Sequence, residues 1–390
     1  MQNERRPLRK CPRKSACSLR QSAVSEANMR VALVHDYLNQ YGGGERMLEI
    51  FCELFPDAPI YTLLYDEHAT GHVFRDKEIH TSFLQRLPLV RGYHRGLPML
   101  MPVAIEQFDL SYFDVVISNS ASFAKGVITK PKTLHISYCM TPTRYLWDDS
   151  QRYAEQSNYP WLIKKLMPPM LSYLRIWDRD ASFRVDHFVA ISNFVQQRIK
   201  KYYNRDSEII YPAFDTSKYS ISKEIGDYCL MVGRLVPYKK FDLAIQVFNA
   251  IGKPLKIVGD GPDFKRLRKM AKPNIKFVGQ VSDPEMAQLY SHAKALIFPQ
   301  EEDFGLVPLE AMASGRPVIA YRGGGALETV VEGENGIFFD EQTEISLVQA
   351  IGDFEYTQFD SQRIRAHALK FDKEVFKTKF LVYLSKNLSK

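Results

Sequence analysis

Short apolar runs alternate with stretches of helix-like spacing from Met29 to the end of the chain. In the first half these runs cover residues 30–35 (RVALVH), 60–64 (IYTLL), 114–118 (DVVIS), 133–138 (TLHISY) and 185–191 (VDHFVAI). Each is brief and continuously apolar, as expected of strands covered on both faces. Their alternation with helical segments predicts parallel sheets joined by crossover helices. A turn-rich polar stretch beginning at Tyr211-Pro212-Ala213-Phe214-Asp215 and ending near Gly226 interrupts the pattern. The alternation then restarts, with runs at 227–232 (DYCLMV), 255–258 (LKIV), 275–279 (IKFVG), 295–298 (ALIF) and 317–320 (PVIA).

The fold class predicted is therefore α/β, with two Rossmann-like doubly wound domains facing each other across a cleft. The first is expected over residues 29–213 and the second over 227–370, with 214–226 as linker. Residues 371–390 read as one further helix, whose partner the periodicity does not reveal. A length of 390 residues suits two such domains. Ligands of open parallel sheets bind beyond the carboxyl ends of the strands, so the residues directly after each run carry the chemical information.

The net charge of +7 looks like a nucleic-acid footprint until it is divided along the chain. Residues 1–28 hold seven Arg/Lys and two Asp/Glu, or +5, which leaves 45 basic and 43 acidic residues, or +2, for the rest. A body so near neutrality does not point to nucleic acid. Residues 1–28 lack the apolar core of a secretory signal. They read as a disordered basic tail, a transit-type leader, or an upstream start ahead of Met29, and are set apart from the fold. The five cysteines form no CxxC pair and suggest neither a disulfide frame nor a zinc site. No apolar window is long enough to span a membrane. A cytoplasmic protein is expected.

Three loops carry chemistry. The first is Pro299-Gln300-Glu301-Glu302-Asp303-Phe304-Gly305-Leu306, followed by Glu310 in the helix it opens. Free backbone N–H groups from about Gly305 to Val307 would form an anion site suited to a diphosphate. Glu302 and Glu310, either side of it, would accept from ligand hydroxyls. The second loop, Gly233-Arg234-Leu235-Val236-Pro237-Tyr238-Lys239, also follows a strand. Arg234 offers a fork for two phosphate oxygens and Lys239 a point charge. The third is Gly42-Gly43-Gly44 after the first strand, where glycine permits close backbone approach; alone it is equally a plain turn. The Gly259-Asp260-Gly261-Pro262 stretch is read evenly as ligand loop or turn.

These residues resemble the retaining GT-B glycosyltransferases of family four, the group 1 glycosyl transferases. Residues 120–126 (SASFAKG), 138–148 (YCMTPTRYLWD), 185–193 (VDHFVAISN) and 321–329 (YRGGGALET) resemble the branch of bacterial O-antigen-type mannosyltransferases. The resemblance implies that Arg234 and Lys239 bind the donor diphosphate and stabilise it as it leaves. It implies that Glu302, with the backbone of Phe304, Gly305 and Leu306, holds the transferred hexose, and that Glu310 binds the nucleotide ribose. Gly233 belongs to the donor-binding set, Gly43 would contact phosphate from the other domain, and the last helix would pack back on the N-terminal domain. One position departs from the branch: the residue before Thr-Pro is commonly histidine and here is Met140. No histidine role carries over, and Met140 with Arg144 marks the possible acceptor or sugar side.

The implied reaction is hexose transfer from a nucleotide sugar, weighted to GDP-mannose, onto a glycan or polyprenyl-diphosphate-linked glycan. No cofactor or metal is expected, because protein cations would stabilise the leaving diphosphate. Other GT-B activities, such as a phosphorylase or epimerase, and a non-catalytic sugar-nucleotide-binding subunit remain the competing readings. Residues 86–102 (RLPLVRGYHRGLPMLMP) interleave Arg86, Arg91, His94 and Arg95 with apolar residues. They are read equally as a patch for anionic lipid at the inner leaflet and as a segment buried against the domain. Asp178-Arg179-Asp180 has a metal-motif spacing but sits in a helical stretch, so a solvated helix face is expected there. His135 is expected to be core, and Ser118 and Ser120 show no catalytic partners.

Overall fold

A computed structural model describes residues 29–87, 98–148 and 161–388. Residues 1–28, read as a tail, leader or upstream start, and most of the basic-apolar patch of residues 86–102 lie outside the described residues. Two all-parallel sheets organise the chain. Seven strands form the first: β1 (Val31–His35), β2 (Ile60–Thr62), β3 (Ile79–Thr81), β4 (Val115–Ser120), β5 (Leu134–Cys139), β6 (His187–Ala190) and β7 (Ser207–Ile209), in the order 3-2-1-4-5-6-7. Six form the second: β8 (Cys229–Val232), β9 (Leu255–Val258), β10 (Ile275–Gly279), β11 (Leu296–Phe298), β12 (Val318–Tyr321) and β13 (Gly336–Phe339), in the order 10-9-8-11-12-13. Both sheets reverse direction of growth beside their first strand, between β1 and β4 and between β8 and β11. Crevices for ligands form at such points.

Every apolar run named from sequence lies on a strand. β9 and β10 match to the residue, and the others differ by a residue or two at their ends. Three strands escaped the pattern. β3 (IHT) and β7 (SEI) are three-residue edge strands with one apolar residue each, too little signal for a buried-strand reading. β13 (GIFF) closes the far edge of the second sheet.

Five helices position the candidate site and its supports: α1 (Gly43–Leu54), α2 (Trp161–Ser182), α3 (Asn193–Tyr203), α4 (Leu306–Ala313) and α5 (Lys373–Leu388). The stretch between the sheets is not a free connector. Phe214 bridges to Asp372, and Thr216 Oγ1 donates to the Asp372 carboxylate at 2.5 Å. Beyond Asp372, α5 lies against α1 of the first sheet. Phe51 meets Phe376 and Phe380 edge-on, with ring centroids 5.6 and 5.0 Å apart. Lys373 and Lys377 both pair with Glu53. Buried aromatic edge contacts stabilise by about 0.5–1.5 kcal/mol each beyond area burial, so this aromatic cluster outweighs the part-exposed ion pairs. No described helix is long and apolar enough to cross a membrane.

Candidate active site

The second sheet builds its site from two strand ends, those of β8 and β11. After β11 the chain turns at Gly305, whose φ of +86° starts α4. A side chain there would strain the backbone and bring Cβ to 3.0 Å from Phe298 Cζ. Phe304 is buried, stacked on Tyr211 at 5.5 Å, which anchors the loop. Gly325 N donates to Glu302 O at 2.8 Å, so the loop after β12 supports the Glu302 backbone from behind.

After β8, residues Pro237–Lys239 form one turn of 3-10 helix. This turn delivers Lys239 to the β11 loop, where Nζ lies 2.6 Å from Glu302 Oε1. Both side chains are largely covered, at 14% and 18% exposure. Burial alone would depress the lysine, but Glu302 holds its pKa above the ordinary value. Arg234, from the same loop, is exposed. Gly233 sits against the Lys239 stem, and a Cβ on it would lie 3.5 Å from Nζ. The glycines of the 259–262 loop serve packing: a Cβ on Gly259 would stand 2.0 Å from Gly233 O, and one on Gly261 2.3 Å from Leu235 O. That loop is a backbone support for the Arg234 turn.

The first sheet presents its glycine loop to the same place. Gly43 opens α1, and a Cβ on it would lie 3.8 Å from Leu306 Cδ1 at the head of α4. Three residues on, Arg46 Nη1 reaches Glu310 Oε1 at 2.6 Å, while Tyr290 OH donates to the other carboxylate oxygen at 2.7 Å. Glu310 is thus buried and already engaged from both sides. Sequence reading assigned it to a ligand and did not foresee Arg46.

Residues 216–371, the stretch holding Arg234, Lys239, Glu302, Phe304, Gly305 and Glu310, match the family model of the glycosyl transferases group 1. This part of the chain is similar to the group 1 glycosyl transferases. The chain is 29% identical over 188 residues to an uncharacterized glycosyltransferase of Methanocaldococcus jannaschii, covering 45% of this chain and 52% of that protein. It is 33% identical over 159 residues to the O-antigen chain mannosyltransferase RfbU of Salmonella typhimurium, covering 38% and 45%. The chain spans about half the length of these curated relatives. Among solved structures, Anabaena HepE in complex with UDP superposes with a TM-score of 0.67 at 18% identity, over 92% of this chain and all of that one. The two-sheet architecture is the GT-B fold.

Opposite the second sheet, a cavity of about 530 Å³ opens at the carboxyl edge of the first sheet. Gly42, Gly43 and Gly44 line one wall, with Met140, Arg144 and Glu45. Met167, Met170, Leu171 and Leu174 of α2 form an apolar wall facing them. His35 and Glu45 stand 3.6 Å apart, both buried. Burial opposes either charge, but each partner offsets it, raising the His35 pKa and lowering that of Glu45. Glu45 Oε2 accepts from Gly42 N, and Asn119 Nδ2 donates to Gly44 O at 2.7 Å. The pair therefore fixes the glycine loop.

One expectation is overturned here. Asp178 does not lie on a solvated helix face; it is 1% exposed and pairs with Lys125 Nζ at 2.6 Å. Thr143 Oγ1, Trp147 Nε1 and Tyr203 OH each donate to it at 2.8 Å. Its neighbour Asp180 is exposed. The helix of the DRD stretch was legible, but not the lysine 53 residues earlier that makes Asp178 a buried centre. His135 is core, as expected: Ser118 Oγ lies 2.9 Å from Nε2, and burial pushes its pKa down to about 3. Among the described residues no group of three or more His, Cys, Asp or Glu is placed to hold a metal.

Proposed function

We propose that the chain is a retaining, nucleotide-sugar-dependent glycosyltransferase that moves a hexose, with mannose from GDP-mannose the favoured donor. The observation that carries this reading is the Lys239–Glu302 pair at the head of α4, facing Gly43 across the gap between the sheets. Sugar transfer develops positive charge on the hexose and negative charge on the departing diphosphate. Lys239, Arg234 and the α4 N–H groups supply fixed positive potential where the negative charge grows, which stabilises the transition state more than the ground state. Glu302 would accept from hexose hydroxyls, and Phe304, Gly305 and Leu306 would offer backbone to the same sugar. Gly43 and Gly233 let backbone approach the phosphates. Glu310 would meet the ribose, which then has to share or displace Arg46. Retention of configuration needs no protein nucleophile here; a donor phosphate oxygen would take the acceptor proton.

The acceptor side is the 530 Å³ cavity, which Met140 and Arg144 help to line. Its apolar α2 wall beside a polar rim suits a glycan carried on an apolar group, and so a polyprenyl-diphosphate-linked glycan of surface polysaccharide synthesis. RfbU is named for O-antigen mannose transfer, which supports that choice. The protein would work in the cytoplasm, at the inner membrane face. A thermal-shift panel of nucleotide sugars tests the donor: a ligand at a hundred times its Kd stabilises by about 2.7 kcal/mol. GDP-mannose should raise the melting temperature most and yield GDP when acceptor lipid is added. A panel in which no nucleotide sugar shifts the melt contradicts the reading.

A further inference from the structure

Between Glu302 and Phe304 stands a carboxylate that no part of the donor chemistry uses. Asp303 belongs to the second sheet but finds all its described partners in the first. Arg198 Nη1 of α3 donates to its Oδ1 at 2.7 Å, Arg144 Nη2 lies at 3.0 Å, and Thr141 Oγ1 at 3.3 Å. Ser192 Oγ, at the N-cap of α3, donates to the Asp303 backbone carbonyl at 2.6 Å. Arg198 is itself only 8% exposed and continues to Asp148 and to Pro142 O. One residue of the β11 loop therefore gathers the loop after β5 and the start of α3.

Arg144 gives this convergence a consequence. Arg144 also lines the cavity. Burial works against its charge, while Asp303 first and Glu302 second hold the pKa above the ordinary arginine value. Arg144 thus stands in the field of two adjacent carboxylates, of which it contacts Asp303. Glu302 is left to Lys239.

We propose that Asp303 is a positioning residue that ties the 141–144 loop to the 302–305 loop and keeps Arg144 off Glu302. This rests on the glycosyltransferase reading only in so far as it assigns Glu302 to the sugar. Without the Asp303 charge, Arg144 has Glu302 as its remaining acidic neighbour, so Lys239 and Glu302 lose their mutual register. The two loops, which carry the acceptor-side and donor-side residues, also lose their shared anchor. Misplacing reacting groups by about 1 Å costs on the order of a hundredfold in rate, so a loosened tie should appear in kcat before it appears in nucleotide affinity.

Asp303→Asn and Asp303→Glu in the full chain provide the test, with GDP and UDP as binding probes and GDP-mannose and UDP-glucose as hydrolysable donors. The tie predicts that Asp303→Asn binds nucleotide within about threefold of wild type while donor turnover falls about tenfold or more. Asp303→Glu should recover part of it. Amide hydrogen exchange needs no substrate, and in Asp303→Asn it should rise together over residues 140–146 and 302–306. Should that variant not fold, Ser192→Ala removes one strand of the tie and should raise exchange in both loops. Unchanged exchange, or a turnover loss matched by lost nucleotide affinity, overturns the proposal. A wild-type protein that binds and hydrolyses nothing speaks against the enzyme reading, while the exchange result still decides the tie.

Discussion

The two halves of the molecule use charge differently. In the second sheet, Arg234, Lys239, Glu302 and Glu310 all fall at the strand ends after β8 and β11, and Arg234 remains exposed. In the first, Lys125 and Asp178 are 2% and 1% exposed and spent on each other, as are His35 and Glu45 on the glycine loop. The charges of the second half gather around one crevice and leave Arg234 exposed, whereas the buried pairs of the N-terminal half are turned inward to hold loops in place. Substitution should therefore harm turnover in one half and folding in the other.

The largest effect is expected in the N-terminal half. Asp178→Ala leaves Lys125 buried and uncompensated, and strips Thr143, Trp147 and Tyr203 of their acceptor. Removing one partner of a buried pair costs about 3–5 kcal/mol, to be read from the midpoint of urea unfolding. Asp180→Ala, two residues on and exposed, should stay within about 0.5 kcal/mol. Equal effects at the two positions would break the comparison.

Next in size is Lys239→Ala. It should lower donor turnover about a hundredfold or more, as loss of a preorganised charge donor does, while urea unfolding changes far less than for Asp178→Ala. A Lys239→Ala protein with near-normal steady-state turnover would remove the donor assignment.

The most gradual effect, spread over several pH units, sharpens the N-terminal side through pH. His135 is buried neutral, with its pKa pushed from the ordinary 6.5 to about 3. Between those values the unfolded chain binds a proton that the folded chain refuses, so stability falls as pH drops below 6.5 and levels off near 3. The slope from this one group is at most about 1.4 kcal/mol per pH unit. His135→Gln should flatten the profile of unfolding free energy against pH; an identical profile would show that other groups govern it.

The same contrast explains what sequence could and could not reveal. Gly305, Glu302 and Glu310 sit within nine residues, and Arg234 and Lys239 within six, so each motif was legible in local order, and the structure brings Lys239 to Glu302. The strand runs were equally local, whereas the edge strands β3 and β7 were too short and polar to register. The N-terminal site is assembled over distance. Arg46 meets Glu310 across 264 residues, and Arg144 and Arg198 meet Asp303 from 159 and 105 residues away. No periodicity signals such pairings, which is why sequence gives no role to Arg46 or Asp303 and places Asp178 in solvent.

A diphosphate site at the head of α4 is the central claim, and calorimetric titration of GDP against GMP, and of UDP against UMP, tests it directly. For the preferred base, wild type should bind the diphosphate about tenfold or more tighter than the monophosphate, the value of one charge-assisted contact, and Arg234→Ala should narrow that gap. Equal affinity for mono- and diphosphate in wild type, or a gap left unchanged by Arg234→Ala, would contradict it.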